Sequence, residues 1–149
     1  MNDDSFRVMD LAMQGYQCSQ ILMAIALEAQ GRQNSGLVKV MSGLLGGMGC
    51  GKTCGALTAG CCVLALHAGK ESAEQPADDR LQPMLSRFVE WFDAEYTARY
   101  GGINCADIVQ DDMRNTMARC PTIVIESLEK LKEILAENNY EFSNPTRSA

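Results

Sequence analysis

Seven cysteines in 149 residues are the groups of this chain best equipped for chemistry. Cys50, Cys54, Cys61 and Cys62 fall within GGMGCGKTCGALTAGCC, residues 46–62, among six glycines. Cys18, Cys105 and Cys120 stand apart from them. A thiolate is a nucleophile, a redox group and a metal ligand. The pattern therefore points to metal binding, catalysis, redox cycling or plain packing.

Placement narrows the choice. YQCSQIL puts Cys18 at the start of a helix, TCGALTAG does the same for Cys54, and INCADIV for Cys105. Cys120 precedes Pro121, and proline favours the first helical position, so Cys120 is read as a fourth helix start. At such ends the unpaired N–H groups and the positive end of the helix dipole stabilise an anion. For a cysteine the anion is the thiolate, and its pKa can fall from about 8.5 to roughly 3.5–7.5. A cysteine that only packs has no reason to prefer a helix start. Cys61 and Cys62, inside a helix beside Val63 and Leu64, fit packing. Cys50 is a candidate fifth ligand, a resolving thiol or a packed side chain.

Gly46 to Thr53 also match G-x-x-x-x-G-K-[ST], a phosphate cradle. That cradle follows a buried strand in a parallel α/β sheet. Here the preceding GLVKVMSGLL has helical periodicity and no other strand is evident, so the match is read as coincidence.

The elements that must position the cysteines are helices. Phe6, Met9, Leu11 and Met13 mark a first helix, capped by Asp4 or Ser5 and stopped near Gly15. Ile21, Leu22, Ile25 and Leu27 mark a second, ending at Gly31. Asn34 or Ser35 caps a third, which breaks at Gly46-Gly47. The fourth runs from about Gly55 to His67, and residues 70–79 form a polar loop. Leu81, Met84, Leu85, Phe88, Phe92 and Tyr96 recur at three- and four-residue steps in a fifth, which ends at Gly101-Gly102. A short sixth starts near Cys105. The last runs from Pro121 to about Glu137, and TIVIES is read as its start despite its β propensity. This is an all-α, single-domain bundle of about six to seven helices, ordered over about 4–138 with a polar, frayed tail.

Composition excludes some functions. The net charge of −6, with scattered basic residues, argues against a nucleic-acid surface. The stretch from Cys54 to Ala68 is too short to span a bilayer, and the acidic N-terminus has no apolar signal region. The expected location is the cytoplasm, where structural disulfides are rare. The single histidine, His67, is read as a capping charge at a helix end. Trp91 lies slightly off the apolar stripe of its helix, which makes a homodimer contact a candidate.

These segments resemble the C_GCAxxG_C_C family, named for its cysteine pattern. GYQCSQ at 15–20 matches its first cysteine segment, and CGALTAG at 54–60 its Cys-Gly-Ala-x-x-Gly core. GGINCADIV at 101–109 matches the third segment, and RCPTIVIESLEKLKEIL the last. The resemblance covers residues 5 to about 136. Cys50, Lys52, Cys61 and Cys62 depart from the usual pattern. The family is labelled redox-active for its four cysteines. Its members look like small helical proteins of anaerobic or facultative microbes, and similar domains occur joined to c-type haem sites. No C-x-x-C-H is present, so covalent haem is not expected here.

The resemblance implies electron transfer through an iron–sulfur cluster, of the two-iron type, on Cys18, Cys54, Cys105 and Cys120, with an unidentified redox partner. The gaps of 36, 51 and 15 residues are not ferredoxin spacing, so the fold must bring the sulfurs together. Two alternatives stay open. One is a dithiol–disulfide oxidoreductase or redox sensor with no cofactor. The other is a structural zinc module with four cysteine ligands.

Overall fold

The most apolar segment forms the central helix of the structure, a computed structural model that describes residues 3–143. Among these residues lie seven α-helices: α1 Asp3–Met13, α2 Cys18–Ala29, α3 Ser35–Val40, α4 Gly55–Ala68, α5 Leu81–Tyr100, α6 Cys105–Val109 and α7 Met113–Glu137. A short 3-10 turn, Met41–Leu44, and an irregular turn, Gly47–Gly51, join α3 to α4. No strand occurs among the described residues, and the only β pairing is an isolated bridge between Thr53 and Asn104. The all-α expectation holds, and the phosphate-cradle match has no strand before it.

α4 is apolar around most of its circumference, as a helix enclosed by others must be. Ala56, Leu57, Ala59, Val63 and Leu64 are buried in it, and α2, α5 and α7 pack around it. α5 contributes Met84, Phe88, Phe92 and Tyr96, spaced four residues apart on one buried face. α7 contributes Ile123, Val124, Leu128, Leu131 and Leu135, and α1 lies against α7 and α2. No helix of the described residues is long and apolar enough to cross a membrane.

Three features differ from the sequence reading. α7 starts at Met113, about two turns before Pro121, so Cys120 lies inside a helix rather than at its start. Asp112 caps α7, its carboxylate accepting from the Arg114 N–H at 2.9 Å. Pro121 has no N–H for the Met117 carbonyl, and Met117 lies on the solvent face with 73% exposure, where water can satisfy it. Second, the chain after Asn138 does not fray at once. Tyr140 is buried, and the Phe142 ring stacks on His67 with centroids 6.0 Å apart. The remainder of the tail, residues 144–149, lies outside the described residues. Third, His67, in the last turn of α4, is buried. Its Nδ1 pairs with the Val63 carbonyl at 3.1 Å and its Nε2 with the Gln30 side-chain amide at 3.1 Å.

Trp91 is half-buried against Phe88, Phe92 and Tyr96 of its own helix, with the Lys130 ammonium over its ring.

The glycine at position 60 fixes how closely α5 approaches α4. A Cβ there would stand 2.3 Å from Cε2 of Phe88, a ring with no exposed surface. Gly60→Ala should therefore destabilise the fold by about 1–3 kcal/mol, the usual cost of overpacking. Urea unfolding followed by circular dichroism would measure this. Gly43→Ala, with nothing near the added atom, is the control.

Candidate functional site

Four separate stretches of chain bring their cysteines to one place. Cys18, Cys54, Cys105 and Cys120 line a single small cavity of about 20 Å³. Gly46, Gly55, Ala56, Ile108, Val109 and Ile123 complete its wall. The four candidates read from the sequence are therefore the four that converge. Cys50 does not join them: it is exposed in the Gly47–Gly51 turn, and its thiol donates to the Gly47 carbonyl at 3.3 Å. Cys61 and Cys62 are half-buried and pack against the core. None of the seven is in a disulfide.

Local structure explains each position. Cys18 is the first residue of α2, and the neighbouring Ser19 hydroxyl ties that helix start to the Met41 carbonyl at 2.8 Å. Cys54 is the N-cap of α4. The Cys18 sulfur reaches the site only because residue 55 is glycine. A Cβ on Gly55 would lie 2.7 Å from Sγ of Cys18 and 2.9 Å from the Leu44 carbonyl oxygen.

Cys54 and Cys105 are set side by side by backbone. The Cys54 N–H donates to the Ile103 carbonyl at 3.0 Å, and the Cys105 N–H to the Lys52 carbonyl at 2.6 Å, flanking the Thr53–Asn104 bridge. The glycine-rich turn folds so that Lys52 can take part. A Cβ at Gly47 would stand 2.3 Å from the Lys52 carbonyl oxygen, and the positive φ of 62° there also favours glycine. No sign of this bridge is legible in the sequence. Single paired residues leave no alternating pattern to read.

The electrostatics reverse one expectation. The helix-start argument predicts lowered thiol pKa values, but all four are raised. Burial pushes Cys54 up to about 12, the Cys18 charge adds to this, and the N–H groups of Ala56 and Leu57 oppose it. Burial pushes Cys18 up to about 11, with Cys120 next, against the N–H of Ser19. Burial likewise raises Cys120 to about 11, helped by Cys54 and Cys105, and it raises Cys105. The physical reason is that desolvation and mutual repulsion outweigh the helix-end N–H groups. Without a compensating cation, the pocket holds thiols rather than thiolates.

The donor set is soft and thiol-only, which suits iron–sulfur or zinc chemistry. Among the described residues, however, no three His, Cys, Asp or Glu side chains are gathered closely enough to hold one metal ion. Tetrahedral zinc would need its four sulfurs about 3.8 Å apart, given Zn–S of about 2.3 Å. The four thiols line the cavity without meeting at one point.

A helical domain with four cysteines around one small cavity defines a class of cysteine-site protein. The comparison with family models gives the particular family. Residues 16–134 match the one described as "Putative redox-active protein (C_GCAxxG_C_C)", and the chain belongs to it. No curated protein and no solved structure matches the chain significantly.

Two tests follow from this geometry. Gly55→Ala should displace the Cys18 sulfur while leaving most of α4 intact. The expected result is a stability loss of about 1–3 kcal/mol by urea unfolding, with Cys18 becoming the most rapidly alkylated of the four thiols. The second concerns pH. A thiol whose folded pKa lies above its unfolded value keeps the native state more protonated, so stability is full below about pH 9 and lost as pH rises toward about 12. Metal-free protein should thus lose stability steadily over that window. The buried Tyr96 phenol, raised by burial and by Glu126, adds to the loss at its upper end. Thermal melts from pH 8 to pH 11 would check it; an unchanged melting temperature would contradict the raised thiol pKa values.

Proposed function

We propose that this protein is an electron carrier in which Cys18, Cys54, Cys105 and Cys120 hold an iron–sulfur cluster of the two-iron type. The observation that carries this reading is the convergence of four cysteines, from four separate chain segments, on one cavity. Membership of a family described as redox-active agrees with it. When bound, such a cluster supplies one-electron uptake and release.

The chain's own residues supply the rest. Each cysteine gives up its thiol proton on loading, so a bound cation offsets the cost of burying thiolates. The N–H groups of Ser19, Ala56 and Leu57, which favour the charged forms of Cys18 and Cys54, help to set the redox potential. Ile108, Val109 and Ile123 keep the wall apolar and limit water. The electron donor and acceptor are partner proteins, and the setting is the reducing cytoplasm, where free thiols persist.

The spread of the sulfurs around the cavity favours a cluster over zinc, because a cluster divides its four cysteines between two irons. A dithiol switch has less support. Its thiolate would have to form in a pocket that raises all four pKa values, and the exposed Cys50 does not line that pocket.

The test is made on protein purified without oxygen. Visible absorption should show charge-transfer bands that bleach on reduction, with about two iron and two sulfide per chain. Serine at any of positions 18, 54, 105 or 120 should remove or strongly alter the bands; serine at 50, 61 or 62 should not. A colourless protein that takes up no iron and sulfide on reconstitution would sink the proposal. Zinc at about one per chain would replace it with a structural site.

A further inference from the structure

The cavity between the four cysteines has room for about one water molecule. The two-iron cluster proposed above is larger, so at least one wall moves outward when the site is filled. Three of the four walls are set on long core helices, whereas α6 buries a single residue, Ile108, in the core. Cys18 and Cys54 begin α2 and α4, whose next turns are buried, and Cys120 lies within the 25-residue α7. The fourth wall, α6, has five residues and carries Cys105. So short a helix does not hold itself together.

The connections at both ends of α6 suit a hinge. Before it comes Gly101, at φ 83°, followed by Gly102; after it come Gln110 and Asp111, both at φ 53°. Two successive non-glycine residues in the left-handed region are strained and persist only where the surroundings hold them. Two side chains of α7 do this. Asn115 donates from Nδ2 to the Val109 carbonyl at 3.0 Å, and Arg119 donates from its guanidinium to the Ile108 carbonyl at 2.8 Å. These residues are four apart on one face of α7 and satisfy the last carbonyls of α6. The Arg119 guanidinium also lies over the Tyr100 ring, 4.7 Å from its centroid, just before the first hinge.

We infer that α6 is the movable wall of the cysteine pocket and that Arg119 is its latch, a positioning residue that fixes Cys105 relative to Cys120. The inference rests on the pocket taking up a cofactor. Its test is made on metal-free protein, so the two readings fail separately.

Reduced, metal-free protein would be pulsed with iodoacetamide and the label at each cysteine mapped by mass spectrometry. Arg119→Met should raise labelling of Cys105 by about tenfold or more, the loss expected for one charge-assisted hydrogen bond. Labelling of Cys18 and Cys54 should change little. Arg119→Lys, which keeps a cation and a donor, should restore part of the protection. Should Arg119→Met fail to fold, Asn115→Ala carries the test, with a smaller rise confined to Cys105. Unchanged labelling of Cys105, or an equal rise at all four thiols, would overturn the latch.

Discussion

The contact on which the site depends is the approach of the Cys18 sulfur to the backbone of α4 at Gly55. Nothing larger than hydrogen fits there, because an added Cβ would meet both that sulfur and the Leu44 carbonyl oxygen within 3 Å. The start of α2, the 3-10 turn and the start of α4 therefore pack as one unit, with the Ser19–Met41 hydrogen bond closing the third side. Five residues along α4, Gly60 makes the same allowance for Phe88 of α5. The glycines of CGALTAG thus have different partners but one physical role. Each lets another element come closer to α4 than any side chain would permit, and so places a sulfur or an aromatic ring against the helix.

That close packing sets the chemistry. Thiols brought together out of water resist ionisation, first through desolvation and then through each other's charge. Helix-end N–H groups reduce the effect at Cys18 and Cys54 without reversing it. A pocket of this kind disfavours a free thiolate nucleophile and favours whatever brings positive charge to all four sulfurs at once. The same reasoning separates Cys50 from the others. It shares the glycine-rich segment, but it is exposed and its thiol turns back to the Gly47 carbonyl.

Much of this was legible in the sequence, for identifiable reasons. Helical periodicity is strong in α2, α5 and α7, and glycine marks the ends of α1, α2 and α5. Cys18, Cys54 and Cys105 stand where their segments begin to be helical, and the structure has them there. Cys120 lines the cavity from within a helix, not from a helix start. Pro121 suggested a helix start, but a proline inside a helix is tolerated where the carbonyl it leaves unpaired can reach water, and Met117 lies on the solvent side. The raised thiol pKa values were not legible at all, because burial is a property of the assembled pocket. Nor was the Thr53–Asn104 bridge, which joins residues 51 positions apart through main-chain atoms that any side chain would allow.

A site made from four chain segments is only as rigid as its least supported one. Three segments lead into or lie within the long helices α2, α4 and α7. The fourth, residues 101–112, is held by one backbone bridge, by Ile108 buried in the core, and by two side chains of α7. This asymmetry reconciles a core packed around glycines with a cavity too small for the group it is proposed to hold. On the movable-wall inference, rigidity lies with the three sulfurs on long helices and compliance with the segment that carries Cys105. Filling the pocket would then draw mainly on the strain held at Gln110 and Asp111 rather than on the packing of α2, α4 and α7.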